Sequence, residues 1–136
     1  MLSSASGLSA RRFPLPEESS ARDWTLFLQD MRRFCAKVSR YTEGLGQQQF
    51  LADELIVDAV LRNLELLGEA AKQIPPDVRL RHPMVPWRRI AGLRDVLAHA
   101  YFGLEDETIW QTVSFSVPAL AEQLTAVAMI ELPDQG

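Results

Sequence analysis

The chain has 136 residues, 47% of them hydrophobic and 24% charged, the ordinary composition of one globular domain. Its single cysteine, Cys35, excludes an internal disulfide and a cysteine zinc cluster, and with no run of about 18 apolar residues no membrane span is expected. The net charge of −4 argues against a protein that coats nucleic acid non-specifically. The charge is unevenly spread, however: Pro75 to Leu104 holds five arginines against two acids, a local excess of +3 able to hold a phosphate-bearing ligand.

Residues 1–20 are rich in serine, carry the pair Arg11-Arg12 and lack apolar periodicity, the pattern of a flexible tail. A first helix is expected from about Ala21 to Tyr41, capped by Ser20 with Asp23 reaching back. Trp24, Phe27, Leu28, Met31, Phe34, Cys35, Val38 and Tyr41 recur at helical spacing, and Gly44 and Gly46 end the run. On that stripe Cys35 reads as a buried structural thiol.

A second helix is expected from about Gln48 to Gln73, ended by Pro75-Pro76. Ile56, Val60, Leu64, Leu67, Ala71 and Ile74 form one apolar stripe, and Val57, Leu61 and Gly68 a second. Two apolar sides imply two neighbours, within the bundle or across a dimer. Gly68 costs about 1 kcal/mol against alanine inside a helix, so it suggests close approach by another backbone. The polar stripe is Glu54, Asp58, Arg62, Glu65 and Glu69, with Asp58 and Arg62 spaced to pair.

After a loop at Asp77–Pro86, a third helix is expected from Pro86 to about Ala100, with Gly103 as its stop. Asp106 fits the cap of a fourth, with Glu107 favourable to its dipole. Ile109, Trp110, Val113, Val117, Leu120, Leu124 and Val127 lie on it, and Pro118 should kink it near Ser114. No strand-like alternation, repeat or glycine-rich phosphate loop occurs. The expected fold is all-α, an up-and-down bundle of four main helices, with the domain at 21–132 and a short tail at 133–136.

The chemistry concentrates between Arg94 and Tyr101. If the third helix is continuous and Ile90 is the origin, Leu93, Leu97 and Tyr101 fall within about 60° on the core side, Arg94 at about 40°, and His99 at about 180°. A core-side arginine needs a partner, and Asp58, Glu65 and Glu69 are the natural acids for a buried or cleft ion pair. Arg94 and His99 then cannot meet on one small substrate unless the helix ends near Ala98 or a second subunit completes the site. His82, between Arg81 and Pro83, reads as an exposed bystander, and two distant histidines make no metal site. A surface role for His99 near a helix end, a structural pair for Arg94 and a packing role for Tyr101 are the bland alternatives. As a functional set, the trio suits metal-independent phosphodiester cleavage: histidine can take a proton from a ribose 2′-hydroxyl, and arginine can bind the charged transition state.

Arg94-x4-His99-x-Tyr101, in the setting Gly92-Leu93-Arg94 … His99-Ala100-Tyr101-Phe102, resembles the signature of HepT-type toxins of the HEPN superfamily of helical ribonucleases. Asp58 to Glu65 with Gly68-Glu69-Ala70-Ala71-Lys72, Pro86-Trp87 and Ile109-Trp110 also resemble that family, over roughly residues 22–130. The N-terminal extension departs from it. The resemblance implies a cytoplasmic toxin of a type II toxin-antitoxin system: an RNA endonuclease without cofactor, acting as a homodimer whose two motifs line a shared cleft. In it His99 is the general base and Arg94 the phosphate binder, with Asp58, Glu65 and Glu69 in support. The implied partner is an MNT-type nucleotidyltransferase antitoxin able to transfer AMP to Tyr101, which would block the phosphate site by bulk and charge. The alternative is a non-catalytic, substrate-binding or regulatory subunit of a nucleotidyltransferase. Blander still is a helical dimerisation module.

Overall fold

A computed structural model of the chain describes residues 24–101 and 106–133, the side chains of residues 99–101 excepted. The expected Ser20 and Asp23 cap, the tail at 1–20, the stop at Gly103 and most of the C-terminal tail fall outside the described residues. Those residues form helices and no strand, as an all-α chain requires.

Helix α1 runs over Trp24–Thr42 and buries Leu28, Met31, Phe34, Cys35 and Val38. The chain then turns at Gly44, whose φ of 79° lies in the left-handed region that glycine enters without penalty. The expected second helix is two helices. α2 covers Gln47–Ala52 and α3 covers Glu54–Ala71, with Asp53 between them. Asp53 leaves the helical region (φ −102°, ψ 93°), and its carboxylate accepts from the Ile56 amide at 3.2 Å. A short acidic side chain thus competes for a backbone N–H and starts a new helix inside an apolar pattern that reads as one. The spacing of Asp58 and Arg62 misleads as well: Arg62 pairs with Glu65 at 3.1 Å instead.

α3 makes its broadest contact with α1. The two helices contribute fully buried Leu28, Met31, Val60 and Leu64 to the core. Each such side chain contributes about 1.5–3 kcal/mol of hydrophobic stabilisation. A short α4, Pro76–Arg81, follows the double proline.

The expected third helix is also divided. α5 covers Trp87–Ala91 and α6 covers Leu93–Tyr101, joined at Gly92 in the bridge region (φ −87°, ψ 9°). Both pack on α3. Gly68 makes that packing close: a Cβ there would lie 3.0 Å from the Ile90 carbonyl oxygen and 3.7 Å from Leu93 Cβ. The expected close approach at Gly68 is therefore present, and the backbone it admits is the segment carrying the arginine-histidine-tyrosine motif.

The last helical stretch is α7, Asp106–Gln111, a π-helical turn at Thr112–Ser116, and α8, Val117–Glu131. Asp106, expected as a cap, is helical and is the first described residue of α7. The distortion expected from Pro118 takes the form of the π turn: the Val117 amide bonds to the Thr112 carbonyl, five residues back. Ser114 and Thr112 hydroxyls donate to the carbonyls of Trp110 and Thr108, at 2.6 and 2.8 Å. α8 packs on α1. The stretch Asp106–Glu131, with a hydropathy of 1.4, is long and apolar enough to cross a membrane by length and composition. Its Ile109, Val113, Val117, Leu120, Leu124 and Val127 are, however, buried in the core.

Candidate active site

The α5–α6 segment is held at three places. Gly68 lets it settle on α3. Trp87, at the start of α5, is buried and donates its indole N–H to the His82 carbonyl at 2.9 Å. His82 is itself anchored. It is 8% exposed and its Nε2 lies 2.7 Å from a Glu131 carboxylate oxygen, which corrects the expectation of an exposed bystander. Arg81 donates to the two oxygens of the same carboxylate, at 2.9 and 3.0 Å. The Arg81 guanidinium and the His82 ring hold the Glu131 carboxyl below the usual carboxylate range, against the opposing effect of partial burial. This cluster ties the chain just before the motif to the last turn of α8.

Arg94 does not sit as the helical wheel implies. It is exposed, and among the described residues it forms no ion pair or hydrogen bond. The break at Gly92 interrupts the phase counted from Ile90, so the expected buried pair with Asp58, Glu65 or Glu69 is absent. Glu65 is taken by Arg62, Glu69 pairs with Lys72 at 3.3 Å, and Asp58 is exposed. Arg94 and Glu65 nevertheless line one shallow depression of about 200 Å³, with Leu97 and Ala98. Of the three supporting acids, Glu65 is the one brought beside Arg94.

α6 continues through Tyr101. On a continuous helix residue 101 lies about 20° from residue 94 around the axis, and residue 99 about 140° away. The motif thus places its first and last residues on one face and residue 99 well round from them. Of the two ways to unite Arg94 and His99 on one substrate, an early helix end is removed.

On the other side of α6 lies a larger groove of about 450 Å³, between α3, the α5–α6 segment and the π turn. Leu93, Val96 and Leu120 line it, with Arg89, Gln123 and Phe115 among its polar and aromatic members. Sequence reasoning missed this groove. The available signal was Phe115, an aromatic residue off the apolar stripe of its helix.

The helical fold and the exposed arginine on a continuous motif helix define a small all-α protein with a candidate phosphate-binding face. The pattern of the family described as Ribonuclease HepT-like matches residues 31–127, and the chain belongs to that family. It is 39% identical to the "Probable ribonuclease HepT" of Thermococcus cleftensis over 69% of this chain and 86% of that protein. It is 34% identical to the "Putative RNase MJ0125" of Methanocaldococcus jannaschii over 78% of this chain and 91% of that protein. The same identity relates it to the "Putative RNase TTE0752" of Caldanaerobacter subterraneus, over 77% of this chain and 94% of that protein. No solved structure matches the chain. The family expected from the motif is thus the family found, and its class of enzyme is a ribonuclease.

Proposed function

We propose that the protein is a cytoplasmic, metal-independent endoribonuclease acting as the toxin of a type II toxin-antitoxin pair, built as a four-helix HEPN-like bundle and active as a homodimer. The observation that carries the reading is Arg94: an exposed arginine without an acid partner among the described residues, on a continuous helix bearing the family's motif. His99 takes the proton of a ribose 2′-hydroxyl, and the freed 2′-oxygen attacks the adjacent phosphorus. The 5′-oxygen leaves and takes a proton from solvent, giving a 2′,3′-cyclic phosphate and a 5′-hydroxyl end. The Arg94 guanidinium offers paired donors to the oxygens that gain charge in that step.

Residues 94 and 99 lie about 140° apart on one helix, so Arg94 of one copy and His99 of the other share each phosphodiester. The shallow, open depression at Arg94 supports this reading, since a second copy can close it. In this reading Glu65, which lines the same depression as Arg94, is the acid placed to support it, with Asp58 and Glu69 on the same helix.

An MNT-type nucleotidyltransferase is the antitoxin, and it places AMP on Tyr101. Residues 94 and 101 share a face and are separated by about 10 Å of helix rise, so the added phosphate arrives beside Arg94 and competes with RNA for it. Purified protein is expected to cleave single-stranded RNA in the presence of a chelator, and His99→Ala protein is not. Equal cleavage by the two proteins sinks the assignment. Absence of cleavage by both returns the non-catalytic subunit reading.

A further inference from the structure

The large groove beside α6 has a chemistry distinct from the depression at Arg94. Its floor is apolar, with Leu93, Val96 and Leu120. Its rim carries Phe115, 65% exposed, where the π turn presents an aromatic ring to solvent. Arg89 also lines the groove. Arg40 lies over the Tyr41 ring and Arg79 has no ion pair among the described residues. Arg33, Arg62 and Arg81 each pair with an acid, and Arg32 bonds to Gln29. Arg88, Arg89 and Arg94 are exposed and, among the described residues, have no ion pair or hydrogen bond. Asp95 is the one acid within Trp87–Tyr101. Arg89 therefore brings a cation with no acid partner among the described residues to an apolar groove that also carries an exposed aromatic ring, while Arg94 lines the depression on the other side of α6.

We propose that this groove receives an unstacked base of a single-stranded RNA, with Phe115 as the stacking surface and Arg89 on the flanking phosphate. The inference rests on the ribonuclease reading and names a subsite for its substrate. Single-stranded RNA is held in this way by proteins that combine a basic track with aromatic platforms. The volume of about 450 Å³ falls in the range of ligand clefts, about 300–1,000 Å³. Charge decides against a second copy as occupant. A two-fold contact centred on the groove brings Arg89 of both copies, each without an acid partner among the described residues, towards one interface, whereas a polyanion neutralises them. The two sides of α6 then divide the work: Arg94 faces the scissile phosphate, and Leu93 and Val96 face a neighbouring base.

The test measures binding by full-length His99→Ala protein, which leaves its probe intact. The probes are a fluorescein-labelled single-stranded RNA and an abasic ribose-phosphate chain of equal length. The RNA is expected to bind about tenfold tighter than the abasic chain, the increment of one stacked base. Adding Phe115→Ala should erase that difference without loss of fold in a thermal melt, since the ring is mostly in solvent. Adding Arg89→Ala should weaken both probes alike and reduce the salt dependence by about one phosphate contact. Equal affinity of the His99→Ala protein for the two probes overturns the proposal. So does a change from dimer to monomer on Phe115→Ala in analytical sedimentation, which assigns the groove to a second copy. The two readings fail separately. RNA cleavage by the unsubstituted protein without base-dependent binding sinks the groove alone. Base-dependent binding without any cleavage sinks the ribonuclease reading alone.

Discussion

Replacing Gly68 by alanine opposes two effects of similar size. Glycine inside a helix costs about 1 kcal/mol relative to alanine, so propensity alone favours the substitution. Against it stands the new Cβ, 3.0 Å from the Ile90 carbonyl oxygen. Carbon and carbonyl oxygen approach to about 3.3–3.6 Å even where their contact is attractive, so the overlap is about 0.3–0.6 Å. The atom in the way is main chain and cannot swing aside. Ile90 is buried, its amide is bonded to the Pro86 carbonyl at 3.0 Å, and Trp87 one turn earlier is tied to His82. The α5–α6 segment must therefore move as a body. Overpacking of this kind costs about 1–3 kcal/mol, so the balance is a net loss of about 1 kcal/mol. For a domain of this size that lowers Tm by about 4 °C. The same movement displaces Arg94 by about half an ångström, and a 1 Å misplacement can cost about 100-fold in rate, so about a tenfold fall in kcat is expected, with KM nearly unchanged. Differential scanning calorimetry and steady-state cleavage of a fluorogenic RNA read the two effects. A Gly68→Ala protein that melts higher than its parent, with kcat intact, refutes the claim that this contact seats the motif helix.

Two further outcomes follow from buried groups. Burial pushes the Cys35 thiol up to about 12, so in the folded protein it should resist iodoacetamide at pH 8 and react only as fast as the chain unfolds. Prompt alkylation of native protein contradicts its burial. The Glu131 carboxyl is held down by Arg81 first and also by His82, and its folded pKa lies below its unfolded value of about 4.3. Its contribution to stability is therefore complete above that value and is lost as the pH falls through it towards the folded pKa. In urea melts across the acid range, Glu131→Gln should be less stable than the parent near neutrality, by about 1–3 kcal/mol for leaving a buried partner imperfectly bonded. The gap should close as the pH drops below about 4. A gap independent of pH rules out the carboxylate as its source.

The parts of the fold legible in the sequence are those decided by local periodicity. The stripe from Leu28 to Val38 folds as α1 with Cys35 inside it, and the glycine in the stripe of α3 marks a close backbone contact. The breaks at Asp53 and Gly92 were not legible. Each lies within a pattern whose apolar spacing continues across it, and each is decided by a few dihedral angles and one competing hydrogen bond. The second break carried a larger error, because the predicted face of Arg94 was counted through it. His82 escaped for another reason: its partner Glu131 is 49 residues away. The motif residues stood out by type and spacing, while the groove opposite them depends on how three separate segments meet.

The π turn changes how the last helix counts. Ile109, Val113 and Val117 are all buried, yet they are spaced by four. In a regular α-helix each such step drifts about 40°, and the wider turn absorbs the drift. The helix thus holds one residue more than its axial length needs, and that surplus keeps its two halves in phase with the same core. A version one residue shorter, without the bulge, presents the same faces at both ends. Pro118 is the residue that a regular turn would have to exchange, since its ring collides with the carbonyl four positions back. Phe115 occupies the slack and is free to face outward because neither half of the helix requires it inside.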